Sequence, residues 1–208
     1  MNTSKFIVLE GIDGSGTTTQ ARLLSQRLNQ AGCQVHVTCE PTDEPIGRVI
    51  RTILRGSYPA HNDTLAYLFA ADRHDHLYHP QKGVLHHLNN GSWVVCDRYL
   101  FSSLAYQSLS CGMELVSQLN NNFPLPGITF FLDLSHEVSM KRLEGRDTQR
   151  EVFEHAEFQQ QVSQRYREVF EQYRDRTLVH TLDAALPQQL LHEEIWKHVL
   201  QRISMASP

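Results

Sequence analysis

Three glycines and a run of three threonines near the amino terminus form a segment suited to binding phosphate. The segment follows a short apolar run and reads Gly11-Ile12-Asp13-Gly14-Ser15-Gly16-Thr17-Thr18-Thr19. Glycines let several backbone N–H groups point toward one anion, and the positive end of a following helix adds to the attraction. A glycine-rich turn can also occur without a ligand, but the hydroxyl run after a strand favours a phosphate loop.

The loop departs from the usual nucleotide-binding pattern at one position. In the pattern G-x-x-x-x-G-K-[ST] a lysine contacts the terminal phosphates, whereas this chain has Thr17 at that position. Thr18 follows it and is the hydroxyl expected to bind Mg²⁺. We therefore predict a phosphate loop without its own lysine, so that another part of the chain must supply the charge.

A second candidate group lies in a predicted helix, where Phe69 and Arg73 are four residues apart and so share one face. The ring can stack on a nucleobase, and the guanidinium group can form a forked pair with a phosphate. The alternative is that Phe69 belongs to the core and Arg73 forms a surface ion pair, because this spacing is common on helices.

Two polar turns directly follow apolar runs, namely Glu40-Pro41-Thr42 and Asp97-Arg98. Ligands of open parallel sheets bind beyond the carboxyl ends of the strands, where these turns are expected. Asp97 could hold Mg²⁺ or orient an acceptor, and Arg98 could neutralise a phosphate during transfer. A plain turn remains open for Glu40-Pro41, and a strand-terminal ion pair for Asp97 and Arg98.

The elements that must position these residues alternate along the chain. Short apolar runs predict buried strands near residues 6–9, 35–37, 93–95, 128–132 and 178–180. The stretches between them have helical spacing, including an apolar stripe from Phe158 to Tyr173, so crossover connections and a parallel sheet are implied. We predict a three-layer α/β fold of the P-loop NTPase class, with a five-stranded parallel sheet flanked by helices. Residues 1–208 would form a single domain with a short lid near 143–153.

The composition restricts the partners of the chain. A formal net charge of -4 gives no global attraction to nucleic acid or to an anionic membrane. No apolar segment reads as a signal peptide or a membrane span, and the four cysteines lack the spacing of a zinc site or a disulfide framework. The twelve histidines also lack zinc-ligand spacing, so we expect them on the solvated surface. We expect a cytoplasmic protein without nucleic-acid or membrane partners.

Taken together, these segments resemble the thymidylate kinase family of P-loop nucleoside monophosphate kinases. The matching segments, in order, are 10–16, 40–42, 68–73, 97–107, 131–142 and 182–184. Single motifs of this kind are weak, but their order and spacing are kept over nearly the whole chain. The chain departs from the family pattern at Thr17, and also at Cys39, where a basic residue commonly precedes the Glu-Pro pair.

The resemblance implies that ATP is the phosphate donor and that Mg²⁺ is the cofactor. The phosphates would lie on the loop from Gly11 to Thr19, and Thr18 and Asp97 would hold the metal. Arg142 would lie over the adenine ring, with Ala184 lining the same pocket.

The resemblance also implies that the acceptor is dTMP. Phe69 would stack on thymine, Ser103 would meet the edge of the base, and Arg73 and Arg98 would bind the acceptor phosphate. Tyr106 would fill the space of a ribose 2′-hydroxyl and so exclude ribonucleotides. Further residues expected to line this site are Asp13, Glu40, Pro41 and Gln107.

The implied reaction is direct in-line transfer from ATP to dTMP, giving ADP and dTDP. Asp97 and Arg98 would act in catalysis, together with Arg146 and Arg150, which follow Arg142 at intervals of four residues on a helical lid. A solvated basic face is the alternative for these lid arginines. A homodimer is also implied.

Two other functions remain open from the sequence alone. The first is a deoxynucleoside kinase, in which Glu40 would act as a base on a 5′-hydroxyl group. The second is a nucleotide-binding regulatory protein that lost catalysis together with the lysine.

Overall fold

The computed structural model describes residues 2–144 and 156–206, and one five-stranded, all-parallel sheet lies at its centre. The strands are β1 (Phe6–Gly11), β2 (Val35–Cys39), β3 (Trp93–Asp97), β4 (Ile128–Asp133) and β5 (Val179–Asp183). Their order in the sheet is β2-β3-β1-β4-β5. They coincide with the five apolar runs, so the predicted fold class is confirmed.

Helices connect the strands and flank the sheet. They are α1 (Thr17–Gln30), α2 (Pro45–Leu54), α3 (Asn62–Tyr78), α4 (Val84–Asn89), α5 (Leu100–Tyr106), α6 (Ser108–Cys111), α7 (Met113–Asn120), α8 (His136–Glu144), α9 (Ala156–Gln172) and α10 (Gln188–Ala206). Helix α1 packs against α10, and α5 packs against α9. Among these helices none combines the length and the apolar character needed to cross a bilayer.

The core forms where the central strand meets the apolar stripes of the helices. All six positions of β1 are buried, because a strand at the middle of a parallel sheet is covered on both faces. The stripe predicted on α9 is confirmed: Val162, Tyr166 and Phe170 are buried, and Phe158 and Tyr173 pack partly buried against the same core.

The carboxyl ends of the strands meet at one edge of the sheet. In the register of the sheet Asp97 lies beside both Leu9 and Cys39, and Asp133 lies beside Asp183. The turns that follow β1, β2 and β3 therefore come together at this edge, which is where open parallel sheets bind their ligands.

The expectation of solvated histidines is wrong for His76 and His192, which are buried. His36 is half-buried, and its ring stacks on that of His87 with centroids 3.7 Å apart. Burial, and then the charge of the neighbouring His87, lower the pKa of His36 to about 4. His192 therefore belongs to the packing of the fold, whereas His36 and His76 line the cleft described below.

Candidate active site

The phosphate loop has the backbone geometry that its glycines predict. Gly14 and Gly16 have φ angles of 78° and 96°, a left-handed region that glycine adopts without steric cost. At Gly11 a Cβ atom would lie 2.5 Å from Ser15 Oγ, so a larger residue does not fit there. Gly16 precedes α1, and within the described residues no side chain caps the first turn of that helix. Its N–H groups are thus available to an anion.

Thr18 and Asp97 lie together where the loop meets the end of β3. The Thr18 hydroxyl donates a hydrogen bond to Asp97 Oδ2. The second carboxylate oxygen, Oδ1, is buried and has no hydrogen-bond partner in the described part of the chain. Hydroxyl and carboxylate oxygens are the ligands that Mg²⁺ prefers, so these two residues fit the predicted metal.

Arg98 lies beside the phosphate loop in an unusual backbone conformation, with a φ angle of 68°. Its guanidinium group donates to Asp13 Oδ1 and to the Gly11 carbonyl oxygen, both at 2.6 Å. It also lies 5.2 Å from the centre of the Tyr106 ring. A residue with a side chain is rare in this backbone region and is often functional. The structure therefore brings Asp13, Arg98 and Tyr106 together, as predicted for the acceptor site.

Arg73 is buried, with a side chain only 1% exposed, so the alternative of a surface ion pair is wrong. Its Nε and Nη2 atoms contact Glu40 Oε2 at 2.9 and 2.7 Å. Nη1 donates to Asn120, and Nη2 also donates to Ser103 Oγ at 3.0 Å. A forked contact with phosphate would have to break the Glu40 pair. The geometry instead directs Arg73 toward Ser103, the residue predicted at the base edge.

Glu40 is held on both of its oxygens. Arg73 occupies Oε2, and His76 Nδ1 lies 2.9 Å from Oε1. The other ring nitrogen of His76 bonds Thr38 Oγ1 at 2.7 Å. A carboxylate already paired with an arginine in a buried network is a poor base for a 5′-hydroxyl group. The arrangement therefore speaks against the deoxynucleoside kinase alternative.

Arg51, which the sequence reading missed, lines the same cleft from α2. It donates to the Pro41 carbonyl oxygen and lies 3.6 Å from Cys39 Sγ. It thus brings a cation to the turn where Cys39 replaces a basic residue. Arg51 lies ten residues after Pro41. The sequence does not show how its helix is oriented, so it carries no local signal for this role.

Arg142 and Ala184 lie next to each other at another side of the phosphate loop. Arg142 donates to the Gly14 carbonyl oxygen at 3.1 Å and to the Ala184 carbonyl oxygen at 2.9 Å. Neither Arg142 nor Ala184 lines the cleft that contains Phe69. The structure thus separates the residues predicted for adenine from those predicted for the acceptor.

The main cleft has a volume of about 1070 Å³, at the upper end of the range for small-molecule sites. Predicted residues that line it are Asp13, Gly14, Gly16, Thr17, Thr18, Thr19, Glu40, Pro41, Phe69, Arg73, Asp97, Arg98, Tyr106 and Gln107. Predicted residues that are buried outside its lining are Gly11, Ile12, Ser15 and Ser103. Most of the predicted site residues therefore share one cavity.

The comparison with protein families agrees with this geometry. Residues 9–195 match the family model described as "Thymidylate kinase". The chain belongs to the thymidylate kinase family. It is 38% identical over 205 residues to a Methanococcus aeolicus protein named "Probable thymidylate kinase", with 96% of this chain and 97% of that protein covered. A Pyrococcus abyssi protein of the same name is 38% identical over 197 residues, covering 91% of this chain and 93% of that protein.

In this thymidylate kinase family member, α9 contributes a polar contact that the sequence reading missed. Gln159 is buried; its Nε2 donates to Asp13 Oδ2 at 2.8 Å, and its Oε1 accepts from the Asp13 N–H at 3.3 Å. The apolar stripe on α9 predicted packing only. Gln159 lies beside Phe158 on that stripe and has no motif of its own.

The predicted lid, near residues 143–153, falls largely outside the described residues. Arg146 and Arg150 lie outside them as well, so their catalytic assignment stays a prediction. Leu143 and Glu144 at the end of α8 are the described part of this segment.

Proposed function

We propose that this chain transfers the γ-phosphoryl group of ATP to dTMP, giving ADP and dTDP. One observation supports this most strongly: the phosphate loop with Asp13, the Arg98 side chain paired to it, and the Phe69 and Arg73 side chains all line a single cleft. A cation in a cleft that can hold both donor and acceptor is what phosphoryl transfer requires. The names of the relatives, thymidylate kinases, agree with this proposal.

The proposed mechanism is direct in-line transfer, assisted by Mg²⁺. Thr18 and Asp97 would hold the metal, which when bound neutralises charge on the transferring phosphates. The N–H groups of the loop and of the first turn of α1 bind the donor phosphates. Arg98 stabilises the charge that develops between donor and acceptor, and Asp13 fixes the orientation of its guanidinium group.

In the proposed acceptor site, the base lies toward α3 and the phosphate toward the loop. Phe69 stacks on thymine, and Arg73 together with Ser103 meets the edge of the base. Arg98 and Arg51 bind the acceptor phosphate in this proposal, because Arg73 is already paired with Glu40. Tyr106 excludes a 2′-hydroxyl group by its bulk.

Arg73→Ala should weaken dTMP binding by about 1.5 to 3 kcal/mol, because a charge-assisted hydrogen bond to the acceptor is lost. ATP binding should change far less. If Arg73 contacts the base, thymidine binding should weaken by the same factor as dTMP binding. Calorimetry with both ligands measures this, and Arg174→Ala, an exposed arginine paired with Glu171, is the matched control.

Weakened binding of dTMP with unchanged binding of thymidine would instead assign Arg73 to the phosphate. Equal dTMP affinities of Arg73→Ala and the wild-type chain would remove Arg73 from the acceptor site. Far-ultraviolet circular dichroism checks that the variant is folded, since Glu40 loses its partner.

We further propose that the chain forms a homodimer through α2 and α3. These helices pack against each other and carry large exposed apolar residues, Val49 at 48% and Tyr67 at 55% exposure. Light scattering should report twice the chain mass of 23.9 kDa, and Tyr67→Glu should shift the equilibrium toward the monomer. A monomer at micromolar concentration of the wild-type chain would contradict the proposal.

A further inference from the structure

Glu10 is a fully buried carboxyl group beneath the phosphate loop, with no assigned role in the transfer. Its Oε1 accepts from the N–H groups of Tyr99 and Ser102 at 2.9 and 3.3 Å. Its Oε2 contacts Ser102 Oγ at 2.6 Å and Tyr166 Oη at 2.9 Å. Buried carboxylates usually pair with a cation, yet no ion pair to Glu10 occurs among the described residues: the nearby Arg98 donates to Asp13 and to the hydroxyl groups of Ser102 and Tyr166.

The contacts of Oε1 place Glu10 at the start of α5. Tyr99 immediately precedes this helix and Ser102 is its third residue, so their N–H groups are ones that a capping side chain normally satisfies. In the described residues no side chain of α5 itself caps this end. Glu10 therefore caps α5 from a neighbouring strand. Arg98 directly precedes Tyr99 and has a left-handed backbone conformation. The same contacts therefore fix the backbone position from which the Arg98 side chain extends.

The contacts of Oε2 form a closed ring of three oxygens. Glu10 Oε2, Ser102 Oγ and Tyr166 Oη lie 2.6, 2.9 and 2.7 Å from one another. Each of these three contacts needs one proton, and the two hydroxyl groups supply only two. A protonated carboxyl group supplies the third, and each hydroxyl oxygen still has a lone pair that accepts from Arg98 Nη1, which lies 3.4 Å from Ser102 Oγ and 3.3 Å from Tyr166 Oη.

The surroundings of Glu10 agree with a carboxyl group that is neutral below about pH 7. Burial raises its pKa to about 7, against the opposing effects of the Ser102 hydrogen bond and the charge of Arg98. The other titratable side chains facing it are the buried Tyr166 and Cys96, whose pKa values burial also raises. Both are neutral near pH 7 and offer no counter-charge.

We infer that Glu10 is a positioning residue whose neutral carboxyl group closes the hydrogen-bonded ring, caps α5 and thereby holds Arg98 against the phosphate loop. The inference rests on the proposed function, because the effect on Arg98 is read through transfer to dTMP. Glu10 would thus act on the site through Arg98, without contacting either nucleotide.

Kinetics of Glu10→Gln and Glu10→Met test the inference. The glutamine carbonyl accepts from both N–H groups, and its amide donates into the ring as a neutral acid does, so kcat/KM for dTMP should stay within about threefold of wild type. Glu10→Met keeps the volume but leaves both N–H groups unpaired, so kcat/KM for dTMP should fall roughly 10- to 100-fold. Thr129→Val, at a buried β4 hydroxyl without a hydrogen-bond partner among the described residues, is the control for substitution in the core.

The dependence of stability on pH gives a readout that does not need activity. A carboxyl group that is neutral when folded and ionised when unfolded makes the protein less stable as pH rises from its unfolded pKa, 4.5, to its folded pKa, about 7. Glu10→Gln lacks this effect, so urea denaturation should show its stability rising relative to wild type over that interval. If Glu10→Met does not fold, Tyr166→Phe, which removes one ring hydroxyl, should lower kcat/KM by about three- to tenfold.

Two results would overturn the inference. One is a folded Glu10→Met variant whose kcat/KM for dTMP equals that of wild type; if that variant does not fold, the same result for Tyr166→Phe counts instead. The other is a stability difference between Glu10→Gln and wild type that stays constant from pH 4.5 to 7. A wild-type chain that does not phosphorylate dTMP would refute the proposed function instead, and the stability measurement would still decide the state of Glu10.

Discussion

Arg98→Ala is expected to lower kcat for transfer to dTMP by about 10² to 10³, the usual effect of removing one positioned charge from a transition state. The side chain donates to Asp13 and to the Gly11 carbonyl oxygen of the phosphate loop and lies 5.2 Å from the centre of the Tyr106 ring in the proposed acceptor site. Because the interaction strengthens as charge develops, kcat should fall more than the affinity for ATP changes. Steady-state kinetics with each substrate varied in turn measures both quantities.

The effect of Arg98→Ala should not come from the backbone. Alanine and arginine both carry a Cβ atom, so the φ angle of 68° is equally unfavourable for the two residues. Arg174→Ala, which removes an exposed arginine outside the lining of the cleft, should keep the kcat of wild type. An Arg98→Ala variant that retains a third or more of the wild-type kcat would remove Arg98 from the catalytic step.

Arg146→Ala and Arg150→Ala are each expected to lower kcat by about 10² with a modest change in ATP affinity. Thr17 is too short and carries no charge, so it cannot follow the γ-phosphoryl group as a loop lysine does. The predicted lid arginines are the nearest candidates in sequence to supply that charge. Thr17→Lys, combined with either variant, should restore part of the lost rate.

Arg142→Ala provides the contrast within the same segment. Its guanidinium group is tied to the Gly14 and Ala184 carbonyl oxygens and is expected to lie at the adenine. The Arg142→Ala substitution should therefore raise the KM for ATP more than it lowers kcat. If Arg146→Ala and Arg150→Ala both keep near wild-type kcat, the lid does not replace the lysine, and Mg²⁺ with the backbone N–H groups must suffice.

The strands and the phosphate loop could be predicted from the sequence for a physical reason. A strand buried on both faces consists of consecutive apolar residues, and the segment from Phe6 to Leu9 shows this most clearly. The ends of parallel strands meet at one edge, so the residues after β1 and β3 could be assigned to one site. The contact between Thr18 and Asp97, 79 residues apart, follows from this rule.

The partners of the site residues could not be predicted, because they depend on how distant helices pack. Arg73 was expected to point at a phosphate, but Glu40 and Asn120, 33 and 47 residues away, determine its direction. Tyr166 was correctly predicted as core, yet the stripe pattern does not show that its hydroxyl group reaches Glu10. Helical periodicity predicts which face is buried but not which polar atom the buried face meets.

The most direct test of the proposed function is a comparison of acceptors with the wild-type chain. ADP formation should be followed with ATP and Mg²⁺ and with dTMP, thymidine, UMP or CMP as the acceptor, and the product confirmed by chromatography. We predict the highest kcat/KM for dTMP, with dTDP as the product. UMP and CMP should be disfavoured because Tyr106 leaves no room for a 2′-hydroxyl group. Faster phosphorylation of thymidine than of dTMP, or no phosphorylation of dTMP at all, would contradict the account.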